Sequence, residues 1–302
     1  MKNKALKRLI YVQLKMLLTC LIFFLTTPLS VFAFSLEDTV VNTGYKLKTV
    51  IVDAGHGANP SGPGKFSVGA SGTYSTERGV TLTVAQKLQK AIEKGIDGVN
   101  VVLTRTNETD VSLQRRPEIA NQNKGDLFIS IHCNALPDKT VRERVGTRKG
   151  KAVYRTTRMV DRSGKGVLML VYGLKRTGEQ QKEIKNNQFG EEMDGEVDPN
   201  DPVTMILTNE YLRKFRQKSI LLANILADEF VSVDGRRLEG IREKSLNVLC
   251  HAAMPSVLIE IGYITNKEEE DYLNSEEGQD EIVATIVRSI QNYKVQVEQI
   301  IK

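Results

Sequence analysis

The chain has 302 residues and a formal net charge of +5, but residues 1–33 hold five Lys/Arg and no Asp/Glu, so the remainder balances 37 bases against 37 acids. That balance removes the basic excess expected of a nucleic-acid binder, and only two cysteines beyond residue 33, Cys133 and Cys250, argue against a disulfide-built scaffold. The length after residue 33 suits one large core with a modest insertion.

In chain order, Lys2, Lys4, Lys7, Arg8 and Lys15 precede an apolar run, 16–29, that exits through Ser30-Val31-Phe32-Ala33. This pattern predicts a signal peptide over 1–33, cleaved after Ala33. The run is short for a span of about 20 apolar residues, and Pro28 interrupts it, so no stable membrane anchor is expected after cleavage. A short polar leader, 34–46, follows. Strands are then predicted at 48–54, 99–104, 127–132, 167–173 and 257–261. Helices are predicted at 77–94, with Val80, Val84 and Leu88 at helical spacing, at 112–124, at 207–230 and from 277 to about 300. Near-continuous apolar strands alternating with helices predict an α/β fold, a single twisted, mostly parallel sheet flanked by helices on both faces.

One stretch breaks the alternation. Residues 138–165 carry ten Lys/Arg against Asp138, Glu143 and Asp161, and residues 191–201 carry six acids and no base. Only one convincing strand, 167–173, lies between Pro137 and Pro202, so about 137–202 is expected to be an insertion. Its basic part reads as a solvated loop, or as a contact with an acidic partner or with the acidic run itself.

Ligands of open α/β sheets bind beyond the carboxyl ends of the strands. His56 and His132 fall there, and Glu260 is a charged residue inside an apolar strand. Glu77 lies on the buried stripe of its helix, directed at the sheet. Such groups need mutual compensation if buried. Two imidazoles and a carboxylate around a zinc ion, with a second carboxylate as proton acceptor, would supply it. The alternatives are plain ones. His56 could be a turn histidine, and Glu260 could pair with Arg105 or Arg116. His251 reads as a surface or supporting residue. The glycine-rich run 59–66 misses a phosphate-binding loop at its first Gly and its final Ser/Thr.

The segments IVDAGHG, TERGVTLTVAQKL, VVLTR, SLQRRPEIAN, DLFISIHCNA and MPSVLIEIGYITN, in this order, resemble the zinc-dependent N-acetylmuramoyl-L-alanine amidases of bacterial cell walls, over about residues 49–293 with a diverged middle. The resemblance implies a catalytic domain over 47–302 that holds Zn2+ through His56, Glu77 and His132, with Glu260 catalytic. The glycines around His56 would turn the chain sharply and leave room for a metal and a bulky glycopeptide. The implied reaction is hydrolysis of the amide between N-acetylmuramic acid and L-Ala of the stem peptide, in the periplasm, by a monomer. Cell-division members of the family, which split the septum, carry an insertion whose helix covers the active site until an activator with a LytM domain displaces it. The blocking carboxylate cannot be assigned by this resemblance: Asn186-Asn187 stands where a Glu-Asn pair is expected, with Glu179, Glu183, Glu191 and Glu192 nearby. Competing readings are a peptidoglycan carboxypeptidase, a sugar deacetylase, or a non-catalytic wall-binding regulator, the last requiring loss of a site residue.

Overall fold

The computed structural model describes residues 45–58, 68–188 and 201–299. The signal peptide, nearly all of the leader, the glycine-rich run and the acids from Glu191 to Asp198 lie outside the described residues.

Six strands form the main sheet: β1 (Thr49–Ala54), β2 (Asn100–Leu103), β3 (Leu127–Asn134), β6 (Val167–Tyr172), β7 (Leu238–Lys244) and β8 (Ser256–Tyr263), in the order β2-β1-β3-β8-β6-β7. Two more strands, β4 (Lys139–Arg148) and β5 (Lys151–Met159), pair only with each other. Pairing is parallel throughout the main sheet except between β6 and β8. The mostly parallel sheet is as the sequence predicts, with one antiparallel seam at β6, a strand that lies within the expected insertion of about 137–202 yet belongs to the main sheet.

Helices cover both faces. On one face α1 (Glu77–Gly95), α4 (Pro202–Ser232) and α7 (Glu276–Gln299) enclose the larger core. Val80, Val84 and Leu88 of α1 meet Val50 and Val52 of β1 and Ile129 and Ile131 of β3 there, all buried. The other face is thinner. α2 (Arg115–Gln122) and the single turn α5 (Asn247–Cys250) cover Ile51, Phe128 and Leu258. The insertion adds α3 (Thr177–Gln188), and α6 (Lys267–Asn274) follows β8.

Several boundaries differ from expectation for local reasons. α2 begins three residues late because Ser112 accepts the Arg115 amide in a turn, which puts Pro117 in the first helical turn, where its missing N–H costs nothing. α4 begins five residues early. Asp201 caps it by accepting from the Thr204 amide at 2.7 Å, and Pro202 follows in the first position. β7 has no apolar alternation to announce it, because it is an edge strand with Arg242, Glu243 and Lys244 exposed.

The largest correction concerns the basic stretch, which is a β-hairpin and not a solvated loop. Lys149 (φ 48°) and Gly150 (φ 75°) make a two-residue turn with both torsions positive, the geometry that matches strand twist. Every residue of β4 and β5 is exposed. With no buried face there is no hydrophobic alternation to read.

Candidate metal centre and cleft

Three strands end together at the site. His56 lies just past β1, His132 is on β3, and Glu260 on β8 is the register partner of His132. Directly paired residues of a ladder share a face, so His132 and Glu260 project to the same side. Asp53 and Ser130 form the layer below them.

The Gly-His-Gly segment works differently from the sequence expectation. The sharp turn falls on His56 itself, at φ 61°. The glycines are required by close approach: a Cβ on Gly55 would sit 2.5 Å from Cε1 and Nε2 of His132, and one on Gly57 would sit 2.3 Å from Cα of Asp110.

Glu77 opens α1 and leans over the strand ends. Its Oε1 lies 3.1 Å from Nε2 of His56 and 2.9 Å from Nδ1 of His132, and accepts the Cys133 amide at 3.0 Å. Its Oε2 accepts the Ala70 amide at 2.7 Å. Burial alone would raise the Glu77 pKa, but hydrogen bonds from His132 and His56 outweigh it and hold the carboxyl well below the usual range. For His132, burial works against charge and the Glu77 carboxylate prevails, raising its pKa. One ligand atom each from His56, Glu77 and His132 lies within 4.8 Å of the others, the one such cluster among the described residues.

Two imidazoles and a carboxylate are the protein donor set of a catalytic zinc. A second observation tests the fit. Oε2 of Glu260 is buried and has no hydrogen-bond partner within the protein, and burial pushes its carboxyl up in pKa against the pull of His132. A buried carboxylate with an open acceptor beside that donor set suits a bound cation, so the residues fit the metal.

Neither alternative arginine partner reaches Glu260. Arg116 donates to Asp53 at 2.7 Å, to Asp110 at 2.8 Å and to the carbonyls of Ala54, His56 and Val111. Arg105 donates to the carbonyls of Ala54, Gly55, Arg78 and Asn107. Both therefore hold the backbone that carries His56. Asp53, fully buried, also accepts from Thr104 and Ser130 at 2.6 Å each. A second support escaped sequence reading: buried Glu270 of α6 accepts the amides of Thr73, Tyr74 and Ser75, fixing the turn that leads into Glu77. Its only sequence signal is a carboxylate placed among other acids in α6, which marks nothing.

A cleft of about 310 Å³ opens beside His56 and His132, walled by the loop 110–114, by Leu246, Asn247 and Val248, and by Leu258. His251, behind this wall, is held by two carboxylates of α3, Glu179 at 3.1 Å and Glu183 at 3.2 Å. Arg176, before α3, donates to Asn247 at 2.8 Å. Two of the four suggested blocking residues are thus engaged with His251, and Glu191 and Glu192 lie outside the described residues. Cys133 and Cys250 are buried and free.

The Amidase_3 family model, described as N-acetylmuramoyl-L-alanine amidase, matches residues 50–292. The chain belongs to this amidase family. It is 26% identical over 246 residues to "Uncharacterized protein YqiI" of Bacillus subtilis, covering 82% of this chain and 84% of that protein. It is 26% identical over 257 residues to "Probable cell wall amidase LytH" of Staphylococcus epidermidis, covering 85% of this chain and 62% of that protein, so it spans under two thirds of that relative's length. Its fold is that of an N-acetylmuramoyl-L-alanine amidase crystal structure from Clostridium difficile 630, with TM-score 0.53 and 23% identity over 82% of this chain and 97% of that one. As a member of the family the chain is an N-acetylmuramoyl-L-alanine amidase acting on peptidoglycan, and the family is typically metal-dependent.

Proposed function

We propose that this amidase is a zinc enzyme that cleaves the bond between N-acetylmuramic acid and L-Ala of the stem peptide, with His56, Glu77 and His132 holding the ion and Glu260 moving the proton. The observation that carries this reading is the convergence of the three donors beside the unpartnered Oε2 of Glu260. A zinc ion there would polarise the scissile carbonyl and acidify a water. Glu260 accepts the proton of the attacking water and returns it to the departing L-Ala amine, which needs an acceptor oxygen with no competing donor. Glu77 keeps its orientation through the Ala70 and Cys133 amides. Arg105 and Arg116 fix His56 by its backbone. The cleft beside His56 and His132 receives the glycopeptide.

The site belongs to a mature domain of about 47–302, exported by the segment 1–33 to the periplasm and acting in septum splitting. The insertion of about 137–202 restrains it until an activator with a LytM domain releases the cleft wall. The contacts of Arg176, Glu179 and Glu183 with the segment 247–251 support that coupling. Turnover should disappear on chelation and return with zinc, and Glu260→Gln should bind zinc stoichiometrically yet lose about 10²–10⁴ in kcat. Full activity in chelator, or near-normal turnover of Glu260→Gln, would contradict these roles.

A further inference from the structure

The β4–β5 hairpin is an element whose construction the hydrolysis does not use. Among the described residues it packs no side chain into either core, yet it is anchored at the rim of the site. It leaves the sheet a few residues beyond His132. At its base Lys139 pairs with Asp161 at 2.8 Å, and Arg162 donates to Oγ1 of Thr73 at 2.9 Å and to the Thr265 carbonyl at 3.0 Å. Thr73 belongs to the turn leading into Glu77, and Thr265 follows the strand of Glu260. The arm is therefore fixed to the same two segments that position the site. Ten residues of β4 at about 3.4 Å each give it a reach of about 30 Å.

Its two faces differ. Residues 139–158 carry eight Lys/Arg against a single acid, Glu143. The register pairs Thr140 with Arg158, Arg142 with Thr156 and Arg144 with Tyr154. Directly paired residues share a face, so Arg142 and Arg144 of β4 and Arg158 of β5 lie on one side, each opposite a hydroxyl-bearing residue and with no carboxylate among them. The Arg142 guanidinium lies 4.3 Å above the centre of the Tyr154 ring, which limits its freedom before any ligand arrives. Glu143 faces the other way, opposite Arg155, on a side that also carries Lys139, Arg148 and Lys151 but where the cations are interspersed with Val141, Val153, Met159 and this acid.

We infer that this arm binds the peptidoglycan polymer itself, through the carboxylates that successive stem peptides present, and so holds the substrate beside the metal centre. The inference rests on the amidase reading. Arginine forks match carboxylates in pairs, and a row of them suits a polymer that repeats its charge. A bilayer is the poorer fit, because the apolar residues Val141, Val153 and Met159 on the opposite face are interrupted by the Glu143–Arg155 pair. An acidic protein is also the poorer fit, because the cationic face lacks the apolar centre of a specific protein interface.

The test compares the processed wild-type enzyme with Arg142→Gln/Arg144→Gln/Arg158→Gln on insoluble peptidoglycan and on a soluble monomeric muropeptide. The variant should need about tenfold more insoluble wall for half-saturation at low salt, with kcat unchanged and muropeptide turnover equal to wild type. The difference should vanish near 1 M salt, where charges are screened beyond about 3 Å. Wild type should show the same loss on wall whose carboxylates have been amidated, and the triple Lys variant, which keeps the charge but loses the paired forks, should fall between wild type and the Gln variant. Equal performance of wild type and the Gln variant on insoluble wall would overturn the proposal, as would unchanged wild-type saturation on amidated wall. Tighter arm-dependent binding to anionic phospholipid vesicles than to wall would overturn it in favour of a bilayer. No wild-type turnover on either substrate would instead sink the amidase reading, a distinguishable result.

Discussion

Glu270 shows how a residue far from the reacting atoms holds the site together. Burial alone would raise its carboxyl, but the amides of Tyr74 and Thr73 and the hydroxyl and amide of Ser75 outweigh burial and hold its pKa at about 2. A carboxylate pKa depressed on folding contributes stability that is fully present above the ordinary value of about 4.5 and is lost as pH falls towards 2. Glu270→Gln should therefore be less stable at pH 7 by about 1–3 kcal/mol. Its deficit should shrink as pH falls through that window, read from urea midpoints of the two proteins. Parallel pH curves would contradict the assignment. The sequence could not single out Glu270, because its partners are backbone amides some 200 residues away. His56, Glu77, His132 and Glu260 were legible for the opposite reason: each is an ionisable group in a setting, strand end or apolar stripe, that otherwise demands apolar or turn residues. Arg105 and Arg116 were visible as residues but not as roles, since their acceptors are mostly carbonyls that no side-chain pattern reveals.

Among the elements, the insertion is where sequence and structure part most. The hairpin carries no buried face, so neither the period of two nor an apolar run marks it, and its turn is set by Lys149-Gly150 alone. Helix α3 was hidden by its polar composition, and only Gln180 and Ile184 are buried. Ile184 packs with Phe215 and Ala253, so removing the whole helix would open the core as well as the cleft. His251→Gln is the cleaner perturbation, since it removes the shared partner of Glu179 and Glu183 while leaving Ile184 in place. If α3 restrains the cleft, this variant should raise basal turnover of soluble muropeptide several-fold with little change in thermal midpoint. Unchanged turnover would place the restraint elsewhere in the insertion or deny it.

For the whole molecule, the layering of helices on both faces of the sheet follows from apolar runs that could be read in advance, because β1, β3 and β8 are buried on both faces, whereas the strand order β2-β1-β3-β8-β6-β7 could not be read from them. The antiparallel seam at β6 could not be read, since strand direction depends on the path of the insertion rather than on the composition of the strand. No helix among the described residues is long and apolar enough to cross a membrane. The three strand ends carry the chemistry, and the edge strands and the arm are elaborations around them. The central claim is that this assembly opens the muramyl–alanine amide. Mass spectrometry of soluble products from purified peptidoglycan digested by the zinc-loaded enzyme tests it most directly. The account predicts stem peptides with a free L-Ala amine, released from glycan strands that keep intact N-acetylmuramic acid. Shortened stems still attached to muramic acid, or deacetylated sugars with the stems in place, would contradict it.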